Sequence, residues 1–332
     1  MKKFINDPGN VVNEMLDGLS AAYPQYVRRL AGLNVIVRAG APVAGKVALI
    51  SGGGSGHEPA HAGYVGYGML DAAVAGDVFT SPTPDQIYEA AKAVNGGAGV
   101  LLIVKNYTGD IMNFDIAADM LKGEGVEVAS VVVNDDVAVE NSLYTAGRRG
   151  VAGTVLVHKI AGACAEQRRP LDAVKTTAEK VIANVRSKGV ALSPCTVPAA
   201  GKPTFTLAED EMELGIGIHG EPGTVRTKVM PADEVIEDLA SSVAGDLGLK
   251  AGDSVAVMMN SMGATPLMEL FVAYRKAHEI LTSKGVSVHR VLTGEYMTSL
   301  EMAGLSLTVL RLDDHLRALL DFAADTPAFR QK

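Results

Sequence analysis

The sequence predicts an α/β protein built as two α/β domains, each with a mixed sheet flanked by helices. Three observations carry this expectation. A chain of 332 residues, 48% hydrophobic and 20% charged, is long enough for about two domains and too apolar to stay disordered. Short β-rich runs alternate with longer helical stretches throughout, the pattern of α/β proteins. A breaker-rich connection, Cys195-Thr-Val-Pro-Ala-Ala-Gly-Lys-Pro203, follows the start of a second such series near residue 188. The predicted division is 1–187 and 188–332.

In the first half, Val47-Ala-Leu-Ile50 runs into Ser51-Gly-Gly-Gly-Ser-Gly56. Val100-Leu-Leu-Ile-Val104 runs into Lys105-Asn-Tyr-Thr-Gly-Asp110, and Val128-Ala-Ser-Val-Val-Val133 into Asn134-Asp-Asp136. Each is read as a strand followed by a polar loop, where ligands of open α/β sheets collect. Helical patterns cover Asp85 to Val94, Phe114 to Lys122 and Gly153 to Gln167, with an amphipathic stretch from Leu171 to Ser187. In the second half, Glu213 to His219 alternates at period two and meets Gly220-Glu-Pro-Gly223. Further strands are predicted at Ser254 to Met259, Val286 to Leu292 and Leu305 to Leu312. Helices are predicted at Ala232 to Leu247, Pro266 to Ser283 and His315 to Ala324. No clear repeat is present, although Gly-His-Glu-Pro at 56–59 and His-Gly-Glu-Pro at 219–222 are similar pieces, one per half.

Composition excludes several functions. A formal net charge of −8 leaves no excess of cations for a nucleic-acid partner. Two cysteines, Cys164 and Cys195, make no disulfide framework, which fits a reducing cytoplasm. The N-terminus carries charge and turn residues where a secretory segment has its apolar core. No apolar run is long enough to cross a bilayer, so no membrane partner is expected.

Three motifs fail on their chemistry. Gly52-Gly-Gly-Ser-Gly-His57 lacks the third glycine of a dinucleotide loop and the Gly-Lys-Ser/Thr ending of a nucleotide-binding loop. An oxidoreductase reading rests on that imperfect loop alone. His57-Glu-Pro-Ala-His61 matches H-E-x-x-H, but Pro59 keeps both histidines from sharing a helix, so no zinc is expected. The pairs Asp135-Asp136 and Asp313-Asp314 are read as solvated strand ends or helix caps rather than a Mg²⁺ site. What remains is His57, Lys105, Asp110 and His219, each beyond a predicted strand and beside small residues. A histidine there can act as acid, base or nucleophile. An aspartate can take a hydroxyl proton, and a lysine can hold an oxygen. His158, His278, His289 and His315 are read as structural or surface residues.

Taken together, Ser51-Gly-Gly-Gly-Ser-Gly-His-Glu-Pro59, Phe79-Thr-Ser-Pro-Thr-Pro84, Lys105-Asn-Tyr-Thr-Gly-Asp110, Ser142-Leu-Tyr-Thr-Ala-Gly-Arg-Arg-Gly150, Cys195 to Pro203, Gly217-Ile-His-Gly-Glu-Pro-Gly223 and Gly263-Ala-Thr-Pro266 closely resemble the substrate-binding K subunit of dihydroxyacetone kinases. The resemblance covers essentially the whole chain. It implies a homodimer of two-domain α/β chains and a short keto sugar as substrate. It implies that His219 bonds covalently to the substrate ketone as a hemiaminal, and that His57 and Asp110 are the acid/base pair. It also implies substrate contacts at Gly54, Ser55, Gly56, His57, Lys105 and Asp110. No cofactor is expected on this chain. Mg²⁺ and ADP or ATP are expected on a separate nucleotide-bearing L subunit, recharged in many bacteria by a phosphotransferase-system protein. The alternative is a non-catalytic ketose-binding sensor or coactivator, since the family holds such paralogues.

Overall fold

The computed structural model describes residues 2–140 and 145–332. It contains two six-stranded mixed sheets with helices on their faces. The chain opens with helix α1 (Val11–Ala22), then strands β1 (Val27–Arg29), β2 (Val35–Arg38), β3 (Ala48–Ser55) and β4 (Ala72–Val78). Helix α2 (Pro84–Val94), β5 (Val100–Lys105), α3 (Thr108–Gly123) and β6 (Val128–Val133) follow, then helices α4 (Thr154–Glu166) and α5 (Leu171–Asn184). The first sheet has the order β1-β2-β4-β3-β5-β6, with β4, β3, β5 and β6 parallel and β1 and β2 antiparallel at one edge.

The second sheet is formed by β7 (Val185–Ala191), β8 (Glu211–Leu214), β9 (Val225–Lys228), β10 (Ser254–Ser261), β11 (Ser287–Gly294) and β12 (Gly304–Leu312). Its order is β11-β10-β12-β7-β8-β9, and only the β10–β11 pair is parallel. Helices α6 (Ala232–Leu247) and α7 (Leu267–Ser283) cover one face, and α8 (Asp314–Asp321) follows β12. The chain's last residues return to the first half, where Asp325 bridges Tyr67.

Layering follows from burial. On one face of the first sheet, Val35, Ile50 and Leu102 pack with Ile87 of α2 and Phe114 of α3. The opposite face shares a single core with residues of the second sheet, including Ala256, Met258 and Leu310. Helix α4 lies within that shared core, and every residue from Thr154 to Ala165 is buried. A helix apolar over most of its circumference has no solvent face to keep polar. The central strands β3 and β10 are buried along their whole length, as strands covered on both faces are.

Several elements differ from the sequence reading for identifiable reasons. The glycine run is not a loop: β3 continues through Ser55. A Cβ on Gly54 would sit 2.6 Å from the Thr80 nitrogen, so the neighbouring backbone comes too close for a side chain. Helix α3 starts at Thr108 rather than near Phe114, which puts Asp110 in its first turn. The predicted strand at Glu213 to His219 ends at Leu214, and the chain turns away at Gly215 with φ +75°. His219 therefore comes from a loop. The stretch from Leu171 leaves the helix at Asn184, and Val185 to Ser187 enter β7.

Asp135 and Asp136 are not solvated: both are fully buried. Asp135 accepts from the Val151 and Gly153 nitrogens and from Ser187, and Asp136 pairs with Arg149. Asp313 does cap α8, accepting from the Leu316 nitrogen. His158 is buried, with its Nε2 3.0 Å from His61 Nδ1. Residues 57–61 lie in turns, so His57 and His61 share no helix. The Ser142 to Tyr144 part of the Ser142–Gly150 motif lies outside the described residues.

Candidate functional site

The carboxyl ends of β3 and β5, the first turn of α3 and the 215–223 loop meet around a cavity of about 840 Å³. Its walls include Gly54, Phe79, Ser81, Tyr107, Asp110, Thr204, Phe205, His219 and Glu221. Pockets of ~300–1,000 Å³ suit ligands of drug size, so this one exceeds what three carbons need.

His219 is held from one side. Its Nδ1 lies 2.8 Å from Glu221 Oε1, and its backbone N–H donates to Oε2 at 2.9 Å. Because a carboxylate only accepts, Nδ1 carries the proton and Nε2 is the lone-pair nitrogen. Burial alone would raise the Glu221 carboxyl, but the His219 imidazole and Arg149 outweigh it and bring it down to about 2. Three rings box the imidazole edgewise: His57 at 4.8 Å, Tyr107 at 4.7 Å and Phe79 at 5.2 Å between centroids.

His57 is fully buried and stacks on Phe79 at 5.1 Å. Its Nδ1 donates to the Thr298 carbonyl at 2.8 Å, leaving Nε2 a lone-pair nitrogen without a hydrogen-bond partner among the described residues. Burial, then His219 and Lys105, holds its pKa well below the ordinary imidazole value, so the ring is neutral at pH 7. Neutral rings with an unused acceptor are bases in waiting, and an unsatisfied buried acceptor costs stability unless a ligand uses it.

Asp110 lines the cavity, with Lys105 buried directly behind it. Lys105 Nζ is buried 3.8 Å from Asp110 Oδ2 and has no hydrogen-bond partner among the described residues. Burial lowers its pKa against the pull of Asp110 and Glu221. Asp110 accepts a hydrogen bond from Ser81 Oγ and sits in the first turn of α3. Gly53 stays bare because a Cβ there would lie 2.4 Å from Lys105 Nζ.

Of the residues implied by the resemblance, Gly54, Asp110 and His219 line the cavity, while His57 and Lys105 stand directly behind it. Ser55 and Gly56 do not line it. The Ser55 hydroxyl donates to the Gly76 carbonyl, and the Gly56 N–H donates to the Glu58 carboxylate. Residue-by-residue reasoning passed over Phe79, Ser81, Tyr107 and Glu221, which the structure adds to the site. Each lies inside or beside a motif that carried the resemblance, and that was the available signal. Among the described residues, no group of three or more His, Cys, Asp and Glu could hold a metal ion. No described helix is long and apolar enough to cross a membrane.

The family model described as the Dak1 domain matches residues 17–328. The chain is 59% identical over 314 residues to a Listeria innocua protein named "PTS-dependent dihydroxyacetone kinase 1, dihydroxyacetone-binding subunit DhaK", covering 95% of each chain. It is similar to the crystal structure of the dihydroxyacetone kinase of C. freundii, with 36% identity and a TM-score of 0.89, over 99% of this chain and 60% of that one. It is also similar to a solved structure titled "Dihydroxyacetone kinase operon co-activator Dha-DhaQ", with 36% identity and a TM-score of 0.90, over 96% of this chain and 98% of that one.

Proposed function

The chain belongs to the Dak1 domain family, and from that premise we propose that it is the substrate-binding catalytic subunit of a dihydroxyacetone kinase. It holds dihydroxyacetone covalently on His219 and presents the terminal hydroxyl for phosphorylation to dihydroxyacetone phosphate. One observation carries the reading above the others. His219 is fixed with Nε2 free by the Glu221 carboxylate, in the same cavity as Asp110 and its buried Lys105 partner.

The chemistry follows from these groups. His219 Nε2 attacks the carbonyl carbon, and the C=O π pair moves to oxygen. The oxygen gains one proton and the ring gives up its Nδ1 proton, first toward Glu221, so addition needs no co-reactant. His57 Nε2, neutral and unpartnered, hydrogen-bonds the substrate and assists that proton movement. An imidazole bonds to ketones and aldehydes but not to polyols, which selects dihydroxyacetone over glycerol. Tethering also fixes the triose before the second step. Asp110 then takes the terminal hydroxyl proton as that oxygen bonds to the donor's terminal phosphorus, the bond from that phosphorus to its bridging oxygen breaks and the nucleoside diphosphate leaves on the L subunit, while Lys105 steadies the oxygens.

The reading assigns Mg²⁺ and ADP or ATP to a nucleotide-bearing L subunit whose phosphate enters through the cavity's spare volume. The relative named PTS-dependent supports recharging by a phosphotransferase-system protein. A homodimer and a cytoplasmic location complete the reading; both cysteines are free thiols.

The co-activator structure favours a second reading, a ketose sensor that forms the adduct without turnover. The greater identity to a kinase subunit and the presence of both His57 and Asp110 weigh against it. Turnover with a nucleotide-bearing L subunit, comparing dihydroxyacetone, glyceraldehyde and a four-carbon ketose, separates the two. Phosphorylated product supports the kinase. Adduct with no product from any of the three supports the sensor.

A further inference from the structure

Arg149 is among the largest fully buried side chains and closes the Ser142–Gly150 motif, to which the proposed function assigns no role. Its Nε donates to Asp136 Oδ2 at 2.7 Å, and Nη2 lies 2.6 Å from the same oxygen and 2.7 Å from the Gly215 carbonyl. The remaining nitrogen, Nη1, is buried with no hydrogen-bond partner among the described residues. Nη1 and Glu221 Oε2 flank the same spot: a Cβ built on Gly217 would meet Oε2 at 2.1 Å and Nη1 at 2.7 Å. Only a bare residue lets the guanidinium and the carboxylate face each other there. The other groups around this guanidinium are Asp136, which anchors it, and the buried Tyr107 ring.

The geometry points to Arg149 as a positioning residue for the reaction: anchored by Asp136 and Gly215, its unpartnered Nη1 faces the Glu221 carboxylate across Gly217 without touching it, and its charge biases that carboxylate, which in turn fixes the His219 tautomer that leaves Nε2 free. The inference rests on the proposed function for its meaning, but not for its test. Asp136, on the far side, balances the guanidinium's charge so that Glu221 remains free for His219. Burial keeps such interactions from being screened by solvent. Partners behind metal-ligating histidines change affinity or activity by about 10–100-fold, and an effect of that order is expected for this histidine.

The test is the ring ¹⁵N spectrum of His219 in the ligand-free protein, together with its adduct affinity for dihydroxyacetone. In the unaltered chain Nδ1 should be protonated and Nε2 bare. Arg149→Met should mix the two tautomers and weaken the adduct about tenfold or more, and Arg149→Lys, which keeps the charge, should recover most of both. Should Arg149→Met not fold, Arg149→Gln, which keeps a polar side chain but removes the charge, is expected to give the same tautomer change. An unchanged His219 tautomer in the folded variants overturns the inference. If the unaltered chain forms no adduct, the kinase reading fails, and the tautomer comparison still decides the role of Arg149.

Discussion

Gly53→Ala probes how tightly the site is built around Lys105. The added Cβ would lie 2.4 Å from Lys105 Nζ and 3.3 Å from its Cε, while ordinary contact begins at 3.4 Å. Nζ must therefore retreat by about 1 Å, the size of misplacement that costs on the order of 10²-fold in rate. That corresponds to about 2.7 kcal/mol of transition-state stabilisation. Folding should barely suffer. Gly53 lies in a strand with ordinary φ, where alanine gains about 0.5–1 kcal/mol over glycine in backbone entropy, and the obstructing atom ends a flexible chain. The assay is kcat/KM for dihydroxyacetone with a nucleotide-bearing L subunit, beside a urea unfolding curve. A folded variant within threefold of the unaltered protein would refute the claim that Lys105 is held in place for the reaction.

Other predictions test separate parts of the account. Asp110→Asn should keep the adduct while kcat falls by about 10²–10⁴, the usual contribution of a positioned base; full turnover would remove Asp110 from that role. Folded His158 binds no proton until about pH 3, through burial and then Lys105, whereas its ordinary value is 6.5. Unfolding therefore takes up a proton below pH 6.5, and stability falls as pH falls. His158→Gln should make the loss of stability between pH 6 and pH 5 smaller by about 1 kcal/mol per pH unit, and urea titrations with parallel slopes would contradict this. Gly162→Ala should destabilise by about 1–3 kcal/mol, because its Cβ would lie 2.5 Å from the Gly68 carbonyl oxygen and Met69 Cα; an unchanged denaturation midpoint would show that α4 packs less closely.

What was legible in the sequence follows the physics of each segment. Helix α6 and strand β6 match their predicted spans because strong periodicity and clear breakers bound them. Strand β4, which pairs with β3, was not assigned. Its Ala-Ala-Val-Ala-Gly-Asp-Val sequence has weak periodicity and takes its form from neighbouring strands. The glycine run reads locally as a loop and becomes strand only because Thr80 and Lys105 press against it from distant parts of the chain. Asp136 read as solvated because its partner Arg149 lies 13 residues away. The site residues were visible as types at suggestive positions. What brings His57 beside His219, 162 residues later in the chain, is the shared core between the two sheets, which no local pattern encodes.

The most direct test of the central claim is a crystal soaked with saturating dihydroxyacetone. The account predicts continuous density from His219 Nε2 to the substrate's central carbon, lost in His219→Ala. An open, ketose-filled cavity with a clear gap between that nitrogen and the carbon would contradict it.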